Sequence, residues 1–166
     1  MSKSEPKQVI IMRKDLNMRK GKMVAQGAHA SMAAILNLGR VERSYSDIDG
    51  SLIDVSLQVP LVLAQQIFNG KPDIYHPAAV EWLSGRFTKV CVSVDSEQEL
   101  VDIIRRAKAA GLITSLITDA GLTEFGGVPT ITCGCVGPAY PDEVEDRKST
   151  RLNSSHSAKS RMPSSA

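Results

Sequence analysis

Lys22, Gln26 and His29 are separated by four and then three residues. On a helix, at about 100° per residue, that spacing puts an ammonium, an amide and an imidazole on one narrow stripe. A cation steadies negative charge, an amide holds a partner in place, and an imidazole, with a reference pKa of about 6.5, moves protons near neutral pH. Further along, at Ala33 and Leu36, the stripe turns apolar. The same spacing fits a solvated helix face, which is the commoner arrangement of such residues. A second candidate, Asp119, precedes Ala120-Gly121 at the end of an apolar run. In open α/β sheets ligands sit beyond the carboxyl ends of strands, so an Asp there can orient an imidazole or serve as a base. It can equally close an Asx-turn or cap a helix. Thr123, Thr130 and Thr132 offer hydroxyl donors, although strand propensity alone accounts for the last two.

These residues need elements to hold them. QVIIMR (8–13) is a short β-branched apolar run and predicts a buried strand. A basic loop (14–21) follows, and residues 22–38, rich in Ala, Met, Gln and Leu, predict a helix that Gly39 ends. VERSYSDIDGS reads as loop, VPLVLAQQIF as a short helix or an apolar strand, and NGKPDIYHP as a run of breakers. Pro77 opens a short helix to Ser84 with Trp82 as its anchor. FTKVCVSV alternates, with Val90, Val92 and Val94 on one face of a strand. Ser96 and Glu99 form a capping box for a helix ended by Gly111. LITSLIT (112–118) and TITCGCV (130–136) complete the set. The expected fold is α/β: a three-layer α/β/α sandwich around a small mixed sheet of about four strands. Residues 1–146 form one domain, in which 40–84 is a longer, irregular insertion.

Composition is ordinary for a globular chain, with 42% hydrophobic and 23% charged residues. No apolar run is long enough to span a bilayer, and the polar start MSKSEPKQ lacks the apolar stretch of a signal peptide. An odd count of cysteines, Cys91, Cys133 and Cys135, argues for a reducing cytoplasm rather than a disulfide framework. The formal charge of +2 conceals a split: five bases and no acid lie from Arg147 onward, which leaves residues 1–146 at −3. Attraction to nucleic acid must therefore come from a local patch, and Arg13, Lys14, Arg19, Lys20 and Lys22 crowd into ten residues with a single acid, Asp15. The Ser-rich end, 147–166, has no hydrophobic period and predicts a disordered tail foreign to the fold. A basic tail on RNA is the competing reading, weakened by the absence of aromatic residues to stack on bases.

Three motifs carry no chemistry. RKGKMV lacks the spaced glycines and Gly-Lys-Ser/Thr ending of a P-loop. Cys133-x-Cys135 has no second pair or nearby His to complete a zinc site. His76 and His156 have no partners in the sequence.

Taken in order, two segments say more. KQVIIMRKDLNMRKGKMVAQGAHA (7–30) resembles the opening of the archaeal and eukaryotic type of peptidyl-tRNA hydrolase. The stretch LITDAGLTEFGGVPTITCGCVGP (116–138) resembles that family's D-A-G-x-T loop, following strand and G-P exit. FTKVCVSVDSEQELVDIIRRAKAAGL resembles the strand and helix between them. The resemblance implies hydrolysis of the ester joining a peptide, or an N-blocked amino acid, to tRNA, in a homodimer that uses no metal or cofactor. It implies Lys22, His29, Asp119 and Thr123 in the active site, with Gln26 and Thr130 or Thr132 at or beside it. In the mechanism expected from these residues, His29 oriented by Asp119 handles water, Lys22 steadies charge, and Thr123 bonds the ester. Arg13, Lys14 and Lys20 would grip the RNA backbone. The sequence departs from the family pattern in its long 40–84 segment and in its end after Gly137-Pro138. Two other classes fit in part: a non-catalytic RNA-binding or adaptor module of the same fold, and a small nucleotide-binding α/β protein, against which the missing Gly-rich fingerprint argues.

Overall fold

The computed structural model describes residues 4–58 and 76–145. Its elements run β1 (Lys7–Arg13), α1 (Lys20–Leu36), β2 (Arg40–Tyr45), β3 (Leu52–Gln58), α2 (Pro77–Ser84), β4 (Lys89–Val94), α3 (Glu97–Ala109), β5 (Thr114–Asp119), β6 (Thr130–Ala139) and α4 (Pro141–Glu145). The main sheet has the order β4-β1-β6-β5. β1 pairs parallel with β4 and antiparallel with β6, and β6 pairs antiparallel with β5. The fold is the expected α/β class, with a mixed sheet of four strands.

β1 explains the layering. Its alternate residues point to opposite faces. Ile10 and Met12 pack with Ala30 and Ala34 of α1 and with Cys133 and Cys135 of β6. Val9 and Ile11 pack with Leu100, Ile103 and Ile104 of α3. A strand buried on both faces needs apolar residues throughout, which is why QVIIMR shows no polar alternation. The small residues of α1 let its axis come close to the sheet: Gly27 lies so near β1 that an added Cβ would already touch Ile10. That closeness brings the polar side chains of the helix within reach of the strand ends. Two pairs of side-chain contacts rivet α1 down. Ser31 and Gln8 exchange hydrogen bonds, and Ser115 Oγ donates to Ala30 O at 2.7 Å.

Helix α1 begins at Lys20, inside the expected loop, and ends at Leu36 with Asn37 as its cap, ahead of Gly39; α3 follows its local signals with one change. Ser96 Oγ accepts from Glu99 N–H, but Glu99 returns its carboxylate to the N–H of Asp95 rather than of Ser96. Gly111, at φ +77°, ends the α3 turn as expected. Trp82 anchors α2 by donating to Thr88 O at 2.8 Å and packing edge-on against Phe87.

VERSYSDIDGS (41–51), expected as loop, holds a strand in its first half. RVERSY and LIDVSLQ form a two-stranded antiparallel sheet, β2 with β3. The turn is built by Ser46 N–H on Ser51 O, Gly50 N–H on Ser46 O, and Asp49 accepting from Ser51. Asp49-Gly50 between alternating strands is a hairpin signal, and Gly50 has the positive φ such turns need. The expectations for VPLVLAQQIF and most of NGKPDIYHP fall outside the described residues, as does the tail from 147.

Candidate active site

The site forms where the start of α1 meets the end of β5 and the loop 120–129. Asp119 is its centre. Its Oδ2 accepts from Lys22 Nζ at 2.6 Å and from Gln26 Nε2 at 2.8 Å, and its Oδ1 accepts from Gly121 N–H at 2.9 Å. The Asx-turn and the site residue are therefore the same group, one oxygen serving each role. Lys22 Nζ also donates to Thr123 Oγ1 at 3.0 Å and lies 5.7 Å from the centre of the Phe125 ring. Gln26 Oε1 accepts from Thr132 Oγ1 at 2.7 Å, and its backbone carbonyl accepts from Cys133 Sγ. Lys22 and Asp119 side chains are only 13% and 14% exposed, so this pair is shielded far better than a surface ion pair.

The network has a fixed polarity. A carboxylate only accepts, so Gln26 must turn its NH2 to Asp119 and its oxygen to Thr132, which must donate. An ammonium only donates, so Thr123 must accept from Lys22 and keeps its own O–H free. Lys22 therefore keeps one N–H, and Thr123 its O–H, beyond the bonds made inside the network. The Lys22 hydrogen bond, then the bond from Gly121, hold the Asp119 carboxyl below the usual range, against the opposing effect of burial.

The expected pairing of His29 with Asp119 is not made. His29 lies on the same stripe of α1, one turn beyond Gln26, and is exposed. No hydrogen bond joins its ring to any described residue, and Asp119 has committed its oxygens to Lys22, Gln26 and Gly121. Of the two threonines left open, Thr132 joins the network, whereas Thr130 Oγ1 donates to Val128 O and supports the loop.

Arg13 does not belong to a phosphate-binding patch. Its guanidinium is 10% exposed and bonds to Asp15 in bidentate fashion, to Glu97 at 2.7 Å and to Ile131 O at 2.8 Å. It ties β1 to α3 and β6. Lys14 pairs with Asp95 at 3.0 Å but remains exposed. Lys20 is exposed and makes no ion pair among the described residues. The α1 N-terminus carries an anion of the chain's own: Glu124 binds Arg19 Nε at 2.7 Å and approaches Arg19 N–H. Glu124 and Phe125 were not singled out from the sequence, although both follow Thr123 in the D-A-G-x-T loop; the signal available was proximity alone.

A cavity of about 980 Å³ lies on the other flank of α1, between Met23, Val24 and Met32 of the helix and Trp82, Phe87 and Cys91. It is apolar and separate from the Asp119 network. Burial pushes the thiols of Cys133 and Cys135 up to about 11 and about 12, which leaves them unreactive at neutral pH. Among the described residues no group of three or more His, Cys, Asp or Glu is gathered to hold a metal ion.

An open α/β sheet that holds a cation and a hydroxyl at a strand end, each with a donor to spare, has the groups that can receive a carbonyl or phosphate oxygen. The family described as "Peptidyl-tRNA hydrolase PTH2" matches residues 6–150. A peptidyl-tRNA hydrolase of Methanocaldococcus jannaschii is 34% identical over 140 residues, covering 84% of this chain and 91% of the relative. One from Thermococcus onnurineus is 34% identical over 148 residues, covering 88% and 94%. One from Methanopyrus kandleri is 31% identical over 139 residues, covering 84% and 90%. The chain belongs to the PTH2 family of peptidyl-tRNA hydrolases.

Proposed function

We propose that this chain hydrolyses the ester between a peptide and the terminal ribose of tRNA, and that Lys22, Gln26, His29, Asp119, Thr123 and Thr132 make the site. The observation that carries the reading is the pair of donors, on Lys22 and Thr123, that the Asp119 network positions and leaves unused. In the transition state of ester hydrolysis the carbonyl oxygen gains negative charge, and donors aimed at that position lower the barrier. Lys22 and Thr123 supply them. Asp119 fixes the ammonium without competing for protons, because a carboxylate held below its usual range is a weak base at neutral pH. Proton transfer then falls to His29. Water adds to the carbonyl carbon as its proton passes to the imidazole; the carbon–oxygen bond to the ribose breaks as that proton passes to the leaving oxygen. The products are the free peptide acid and tRNA with a free hydroxyl.

Lys20 and Lys14 face solvent near the site and fit the RNA backbone, whereas Thr130 acts by holding the loop. A second copy of the chain fits the apolar flank of α1, where Val24 is 74% and Met32 57% exposed. Action in the cytoplasm suits three free thiols, and no helix among the described residues is long and apolar enough to cross a membrane. The test is release of N-acetyl amino acid from charged tRNA by the purified chain. K22A and H29A should each lower kcat by about 10²-fold or more, the usual loss for an oxyanion donor or a general base. Wild-type turnover in both variants would remove the assignment, and RNA binding without turnover in the unaltered chain would mark an adaptor.

A further inference from the structure

We propose that the open edge of β5 holds the peptidyl part of the substrate as an added strand, running parallel to β5 with its C-terminal carbonyl at the Asp119 end. This rests on the hydrolase reading above and adds to it a subsite for the peptide.

Among the described residues the edge is free, and it is correctly aimed. β5 is the last strand of the sheet, hydrogen-bonded among the described residues to β6 alone. Gly137 N–H donates to Ile113 O at 2.8 Å, just before β5 begins. From that bond the antiparallel ladder alternates, so Ser115 and Ile117 face Cys135 and Cys133, while Thr114 and Leu116 turn their N–H and C=O outward. The strand ends at Asp119, the centre of the site. A peptide on this edge would deliver its last carbonyl to the donors of Lys22 and Thr123.

α1 forms a wall beside the track. It runs antiparallel to β5: Asp119 meets Lys22 and Gln26 near the start of the helix, and Ser115 meets Ala30 further on. The stripe that begins with Lys22 and Gln26 therefore continues along the edge as His29, Ala33 and Leu36. Leu36 is 40% and Leu116 38% exposed, a mild apolar lining away from the ester.

Chemistry supplies the reason. Peptides carried by tRNA have any sequence, and the backbone is the only feature they share. Strand addition reads backbone. Exposed edges are normally guarded by Lys, Pro or inward charge, because they recruit other chains. TSLIT (114–118) carries none of these, so the edge is left able to pair.

The experiment compares kcat/KM for N-acetyl-aminoacyl-tRNA and acetyl-tetrapeptidyl-tRNA, using the full chain. The longer substrate should be better by about tenfold, what one or two net backbone hydrogen bonds supply. N-methylating the tetrapeptide amides one at a time should remove that gain at alternate positions only. L116P removes an outward N–H that the β6 ladder does not use, and should bring the ratio of the two substrates from about ten to about one. The N-methyl series uses the unaltered chain and stands whether or not L116P folds. Equal kcat/KM for the two substrates, or losses without alternation, overturns the track while leaving the hydrolase reading intact. No release from either substrate overturns that reading, and the track with it.

Discussion

Asp119 sets the direction of every hydrogen bond around it. Asparagine there would offer an NH2 where Lys22 and Gln26 now find only acceptors. D119N should lower kcat by about 10²-fold, as the loss of an oriented oxyanion donor does, with circular dichroism unchanged. Because the folded carboxyl lies below its unfolded value, the stability it contributes is present in full above about pH 4, the ordinary Asp range, and is lost as pH falls through the folded value. Any loss of activity well above that range must then report a group other than Asp119. The order of the family's segments singles out Lys22, Gln26, Asp119 and Thr123, and these side chains meet in the structure. The His29–Asp119 pair was misread because spacing on a helix sets angle and leaves reach open. His29 stands about 4.5 Å further along the axis than Gln26, at 1.5 Å per residue, whereas Asp119 enters at the level of Lys22 and Gln26.

At the scale of elements, the loop 120–129 decides whether Thr123 meets Lys22. Gly121 is its pivot, with φ +80° and its Cα so close to Val128 that a Cβ would overlap the backbone there. It also accepts from the N–H groups of Phe125 and Gly127. G121A combines positive-φ strain with that overlap; it should cost about 1–3 kcal/mol in urea unfolding and lower kcat by displacing Thr123. A wild-type unfolding midpoint would show that the loop relaxes freely. The strands of the main sheet were legible because β-branched runs leave few alternatives, as in QVIIMR and FTKVCVSV. β2 and β3 were not, because the polar residues of RVERSY mask its alternation and the Asp49-Gly50 turn was read as loop. The Lys22–Phe125 contact was beyond sequence altogether, since it depends on how the loop folds back.

For the whole molecule, local charge outweighs net charge. Most of the cations between Arg13 and Lys22 are matched by the chain's own acids: Asp15 and Glu97 for Arg13, Asp95 for Lys14, Glu124 for Arg19 and Asp119 for Lys22. The basic run was plain in the sequence, but apart from Asp15 its acids come from residues 95–124, which only folding brings near. K20A should therefore reduce the salt slope of tRNA binding by about 1; an unchanged slope would place Lys20 off the RNA. With the proposed pairing through the apolar flank of α1, V24D should give a monomer in sedimentation while leaving turnover within about twofold, and an unchanged mass would move the contact elsewhere.

One helix carries both surfaces. Lys22, Gln26 and His29 look toward β5, and Met23, Val24 and Met32 look toward the cavity beside Trp82. Whatever covers the apolar side leaves the polar side open. Its occupancy belongs in the melting curve and drops out of the rate law.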